Sequence, residues 1–255
     1  MKLSKELPSG NMPYNFKELG VTSLRPKHMT AFSESVLTEN LQPAIEALGE
    51  TIDADINVLT FGDFYFLMLY HRFHSRNIPF PVAWNCLGEV ILELATNKRF
   101  TYPEIKQIVD QYENAEDKTG LINPHTMRAE EVECAHVNRT NLDFSDFEIV
   151  HLSGPIEDTR FDFPRVKILS EYADLQRDVA LQHVASIAAW LRDGETLRDK
   201  IHILTEQEDF VLFDAATEVR QKYDHGVARN VSKKCAFCGE SHQFNVMIGP
   251  QSFFA

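Results

Sequence analysis

Apolar positions recur along most of this chain at helical spacing. Val36, Leu37, Leu41, Ile45 and Leu48 mark an amphipathic run over 33–48, with Pro43 placed to break or kink it. Thr60-Phe61-Gly62-Asp63 reads as the opening of the next helix, Thr60 supplying a capping hydroxyl and Asp63 answering three residues on. From there to about His74 the chain is apolar nearly all round, which predicts a central buried helix. Residues 87–96 and 102–112 read as two further helices. After Phe161-Asp162-Phe163-Pro164-Arg165-Val166 the second half is helical again. Leu175, Val179, Val184, Ile187, Ala188 and Leu191 form one stripe ended by Gly194, Leu197, Ile201 and Leu204 start another, and Phe210, Phe213, Val219 and Tyr223 precede Gly226. Such stripes are core-facing surfaces, and no cofactor is assigned to them.

The period shortens to two in a few places. Residues 142–152 alternate as a strand, with a slip of phase at Ser145-Asp146 that suits a bulge or turn. Residues 241–248 alternate with Phe244, Val246 and Ile248 on one face. Between the helices, residues 113–133 form an acidic, loop-rich connector. Over residues 1–30, Pro8, Gly10, Pro13, Gly20 and Pro26 leave no helical period, so this stretch reads as an extended arm. Its spaced apolar side chains suit either packing on its own domain or docking in a partner's groove.

The most specific chemistry lies near the C-terminus, in Cys235-Ala236-Phe237-Cys238-Gly239. Two thiolates on one tight turn face a single ion, and Gly239 permits the backbone to turn with positive φ. This is half of a zinc knuckle. The other cysteines, Cys86 and Cys134, bring the thiol count to the four that a closed tetrahedral site needs, while His136 and His242 are substitute ligands. The alternative for Cys86 and Cys134 is burial as small hydrophobes. A redox C-x2-C would open a helix, whereas a strand pattern follows here. Four cysteines without a secretory leader point to a reducing compartment. The expected fold is therefore mainly α (α+β), a helical body with a small β element held by a structural Zn2+ ion on Cys86, Cys134, Cys235 and Cys238. Its parts are the arm over 1–30, a helical region over 31–153 with the central helix and a strand after Cys134, a helical region over 154–228, and a β segment over 229–255 that packs with the Cys86/Cys134 region.

Other chemistries lack their motifs. There is no phosphate-binding glycine loop, no G-x-S-x-G elbow and no H-E-x-x-H. His71 and His74, three residues apart, suit a helix dipole better than a metal. The acidic groups Glu130, Glu131, Glu133 and Glu206, Glu208, Asp209 read as solvated surface. A net charge of −13 argues against a general nucleic-acid binder, and no apolar run approaches the ~20 residues of a membrane span. The expectation is a protein that is not an enzyme.

Three segments in order carry a resemblance: Leu59-Thr60-Phe61-Gly62-Asp63-Phe64-Tyr65-Phe66-Leu67 running into His71-Arg72-Phe73, then Phe161 to Val166, then Cys235 to Gly239 with Phe253-Phe254. Together they resemble the baseplate hub and hub-assembly proteins of T-even-like contractile-tailed bacteriophages. The resemblance implies a structural protein of the virion tail baseplate, assembled in the host cytoplasm, binding other baseplate and hub proteins and suited to homo-oligomers. It also implies a close cysteine pair after the central helix, from which this chain departs: Cys134 lies 48 positions beyond Cys86, as if residues 87–133 were inserted. The chain ends, with Phe253 and Phe254 as apolar anchors, are the expected interfaces, the alternative for these two phenylalanines being packing within their own domain. A transient hub-assembly chaperone and a zinc-ribbon nucleic-acid adaptor using Arg229, Lys233 and Lys234 are the alternatives.

Overall fold

The helix that opens at Thr60 forms as its sequence predicts, and one of two compact units is organised on it. The computed structural model describes residues 7–10, 12–16, 18–175 and 179–254. The beginning of the arm predicted over 1–30, and the side chain of Val179 in the predicted stripe, lie outside what is described. In chain order the elements are α1 (Pro26–Thr38), α2 (Gln42–Gly49), α3 (Phe61–His74), β1 (Phe80–Asn85), β2 (Glu89–Glu93), β3 (Lys98–Phe100), α4 (Tyr102–Asn114), β4 (Ala129–Glu133), β5 (Val137–Leu142), β6 (Ile149–Val150), α5 (Leu169–Leu175), α6 (Val179–Ala188), α7 (Leu197–Thr205), α8 (Val211–Tyr223), β7 (Gly226–Val227), β8 (Asn230–Lys234) and β9 (Ser241–Asn245). The fold is mixed α+β. One unit comprises residues 1–80, 143–229 and 246–255; the other comprises 81–142 and 230–245. Among the described residues no helix is long and apolar enough to cross a membrane.

In the first unit, α3 buries Phe64, Phe66, Leu67, Met68 and Leu69 almost completely. Thr60 Oγ accepts the Asp63 N–H at 3.2 Å, as a capping residue should. Asp63 does not answer it. Its carboxylate accepts the Ser9 N–H at 3.0 Å and the Tyr14 O–H, so a buried acid is satisfied by the N-terminal segment. His71 and His74 turn to different partners. His71 lies between Thr51 Oγ (3.0 Å) and Ser75 Oγ (2.9 Å), while His74 stacks on Tyr70 with ring centroids 4.2 Å apart.

Pro43 starts a helix rather than kinking one. The break falls earlier, at Glu39 in the left-handed region (φ 54°), and α2 begins with Pro43 in its first turn, where a missing N–H costs nothing. The stripes of α6, α7 and α8 meet as predicted: Ile187, Ala188, Leu191, Leu204 and Ala216 pack with Phe161 in one buried cluster. The strand expected over 142–152 is interrupted where its phase slips, by a 3-10 turn at Phe144–Asp146.

Both chain ends differ from the docking anchors expected of them. Leu7, Leu19 and Val21 are buried, and the Thr22 N–H donates to the Thr51 carbonyl at 2.7 Å. Phe253 is 2 % exposed, its ring centroid 4.5 Å from that of Phe32 on α1, whereas Phe254 is 52 % exposed. Phe253 is thus a core residue, and Phe254 alone of the pair reaches solvent.

The second unit is built from short strand pairs: β1 with β5, β2 antiparallel between β3 and β4, and the antiparallel hairpin β8–β9. Residues 87–96, expected as a helix, are instead strand β2 and its turn. A short apolar run has no period to separate helix from strand. Pairing on both sides, with β3 and with β4, settles Val90-Ile91-Leu92 as strand. β4 lies within the predicted acidic connector, and its Glu130, Glu131 and Glu133 are exposed as expected of solvated surface. Helix α4 forms where predicted, held by a capping box between Thr101 and Glu104, and buries none of its residues.

Candidate metal centre

The second unit has one feature that its small strands do not explain: a knot of sulfur in its middle. Lys234 and Ser241 close the β8–β9 pairing, and the six residues from Cys235 to Glu240 turn between them. The Cys235 N–H donates to the Glu240 carbonyl at 2.8 Å and the Gly239 N–H to the Cys235 carbonyl at 3.0 Å. Gly239 takes the positive φ (78°) foreseen for it. This turn places the sulfurs of Cys235 and Cys238 on its inner side.

The other two cysteines come from a second crossing of the chain. After Cys86 the backbone leaves through β2, β3 and α4 and returns along β4, which pairs with β2 from Glu93↔Ala129 to Glu89↔Glu133. The excursion over 87–133 therefore ends where it began. The Cys134 N–H donates to the Gly88 carbonyl at 2.6 Å, the Ala135 N–H to the Cys86 carbonyl at 3.1 Å, and the Cys86 N–H to the His136 carbonyl at 3.0 Å. Ala135 holds a left-handed φ of 48°, a conformation that costs a non-glycine residue of order 1 kcal/mol or more and is retained here beside Cys134. Gly88 has no room for a side chain, since a Cβ would lie 2.8 Å from Glu240 Cβ and 3.2 Å from Cys238 Sγ.

Cys86, Cys134, Cys235 and Cys238 thereby bring their Sγ atoms within 4.8 Å of one another, with the first three buried and Cys238 half-buried. Cys86 Sγ and Cys238 Sγ are 3.4 Å apart, and Cys134 Sγ and Cys235 Sγ 3.9 Å. These are too long for disulfides, whose S–S bond is about 2.05 Å. A tetrahedron of sulfurs each ~2.3 Å from a central ion has edges of about 3.8 Å, a length that falls between these two distances. The four cysteines form the one group of three or more such donors among the described residues. All four residues singled out from the sequence are brought together. His136 is not among them; its ring lies 6.0 Å from that of Phe237. His242 stands one shell out, with Nε2 3.2 Å from Cys86 Sγ.

Polar groups around the sulfurs are unevenly shared. Burial raises the Cys86 and Cys134 thiols above their usual range. Burial acts in the same direction on Cys235, but the N–H groups of Cys238 and Phe237 and the Asn138 amide outweigh it and bring that thiol down to about 6. Asn138, 4 % exposed, is the residue sequence reasoning missed. Its amide N–H donates to Cys235 Sγ at 3.4 Å and to the His136 carbonyl at 3.1 Å, and its carbonyl accepts the Ala236 N–H at 2.9 Å. It ties the two chain crossings to the Cys235 sulfur. An asparagine on a short strand offers no local signal for that role.

Four convergent thiols, three of them buried, with N–H donors aimed at one of them, make a site compatible with a metal ion. Comparisons with models of protein families, with curated proteins and with solved structures found no match to this chain.

Proposed function

We propose that Cys86, Cys134, Cys235 and Cys238 hold one structural zinc ion, and that the chain is a non-enzymatic structural component of a phage tail baseplate, in its hub region. The convergence of the four sulfurs carries the first part. Soft thiolate donors suit zinc and not calcium or magnesium. Four protein ligands leave no coordination position for water or substrate, which is the arrangement of a structural site and not of a catalytic one. Asn138 and His242 supply an outer layer that orients the sulfurs.

The second part rests on the three ordered segments that resemble hub and hub-assembly proteins of T-even-like phages. Within it, the protein works by association in the virion tail baseplate after assembly in the host cytoplasm. Leu7, Leu19, Val21 and Phe253 are buried in their own unit, so the contacts to neighbouring baseplate proteins are assigned to the acidic surface over 113–133, where Leu121 and Ile122 are exposed. Quantitative mass spectrometry of purified particles tests the role. The chain is expected at a fixed copy number alongside the other baseplate proteins. Its absence from particles that need it for assembly would replace a structural part with a transient assembly factor.

A further inference from the structure

We propose that the first unit binds a small organic oxyanion with an aromatic body, in a cavity of about 600 Å3 lined from α3, α5, α6, α8 and β7. The size lies within the 300–1,000 Å3 of small-molecule sites. Its charge is what singles it out. Arg220 on α8 and Arg229 just after β7 both line it. Arg220 Nη1 donates to Ser186 Oγ at 2.6 Å, and the Arg229 guanidinium lies 5.2 Å from the Tyr65 ring centroid. Among the described residues no carboxylate lies within ion-pair distance of either guanidinium. The nearest acid of the lining, Asp224, accepts the His225 N–H at 3.1 Å instead. A chain of net charge −13 has carboxylates to spare, yet two guanidiniums share one recess unpaired. Planar forks of N–H donors left in this way suit a carboxylate or phosphate group.

The remaining lining favours binding over chemistry. Both ring nitrogens of His225 are already engaged, Nε2 with Thr60 Oγ at 2.8 Å and Nδ1 with the Tyr223 carbonyl at 3.0 Å, which fixes its ring in the wall of the cavity. Tyr65 and Tyr172 add flat aromatic walls with hydroxyl groups at their edges. Burial raises the Tyr65 phenol against the pull of Arg229, which keeps it a neutral hydrogen-bond donor. Gly62 and Gly226 hold this floor close: a Cβ on Gly62 would lie 2.4 Å from the His225 carbonyl oxygen, and Gly226 has φ +121°. The occupant is therefore an aromatic or similarly flat molecule ending in one oxyanion.

Calorimetric titration of the full chain with phenyl phosphate, benzoate and inorganic phosphate at low ionic strength tests this. At least one aromatic anion is expected to saturate at one per chain, and the tighter of the two identifies the headgroup. Inorganic phosphate should bind about tenfold more weakly or worse, because it leaves the aromatic walls uncovered. Arg220→Gln and Arg229→Gln should each weaken the aromatic anion about tenfold or more, the loss of one charge-assisted contact, while Arg198→Gln on the exposed face of α7 changes nothing. In the wild-type chain, the bound anion should protect Arg220 and Arg229 from phenylglyoxal, a readout that needs no variant to fold. No saturable binding of either aromatic anion, wild-type affinity in both arginine variants, or unprotected labelling of both arginines would overturn the proposal.

Discussion

Stripping the ion from the four-cysteine centre should unfold the second unit. Apart from the sulfurs, its fully buried apolar side chains are few: Val90, Phe100, Leu142 and Val231. At roughly 1.5–3 kcal/mol each, they contribute about 6–12 kcal/mol before any ordering cost is subtracted. A structural zinc ion on thiolates contributes about 10–16 kcal/mol of apparent binding energy, all of it coupled to folding. With the proposed zinc ion bound, it would be the largest single stabiliser of this unit, and a body with so small a core would not survive its loss. The chain carries its own reporter. Trp84 lies in the second unit, its ring 4.8 Å from that of Phe244, while Trp190 is buried in the first. Chelation should shift fluorescence toward that of solvated indole and release the amides of Cys86, Cys134 and Cys235 to rapid hydrogen exchange, and Trp84→Phe should abolish the fluorescence shift. If emission and exchange stay unchanged after elemental analysis shows the metal gone, the packing holds itself together and the reasoning fails.

Three further outcomes follow from particular contacts. Phe253→Ser should cost about 3–5 kcal/mol in denaturant unfolding because it empties the place beside Phe32, while Phe254→Ser should stay within about 0.5 kcal/mol of wild type. Gly88→Ala should weaken zinc about 10–100-fold in competition with a chromophoric chelator, since its Cβ would push on Glu240 and on the Cys238 sulfur. Burial first, and then the neighbouring charges of His28 and His74, lower His71 to about 4 from an ordinary value of 6.5. The unfolded chain therefore takes up a proton that the folded chain refuses as pH falls below 6.5, so stability should drop by about 3 kcal/mol between pH 6.5 and 4. His71→Asn should flatten that part of the pH profile, and an unchanged slope would remove His71 from the explanation.

What the sequence revealed, and what it hid, divides by the range of the interactions. The C-x2-C turn and Gly239 were legible because their geometry is local, as were α3 with its Thr60 cap and the existence of helix α4. The union of Cys86 with Cys134 was legible only as a count of thiols. The pairing of Glu89 with Glu133 that brings them together lies in segments whose patterns read as a helix and a loop. Asp63 looked like a partner for Thr60, but Tyr14, 49 positions upstream, takes its carboxylate. Whether Phe253 packs inward or docks outward was open in the sequence, because its partner Phe32 is more than 200 residues away. The two unpaired arginines of the cavity, Arg220 and Arg229, sit in unremarkable sequence, because a charge without a counter-ion is visible only in three dimensions.

The proposed metal centre is tested most directly by weighing the protein. Native mass spectrometry of freshly purified full-length protein, with elemental analysis of the same sample, reads the identity and number of bound ions. One zinc per chain is predicted for the wild type. Cys86→Ser, Cys134→Ser, Cys235→Ser and Cys238→Ser should each lose most of it during dialysis against a mild chelator. A protein free of metal, or one that keeps its ion with unchanged affinity in Cys86→Ser and Cys134→Ser, would contradict a four-cysteine site.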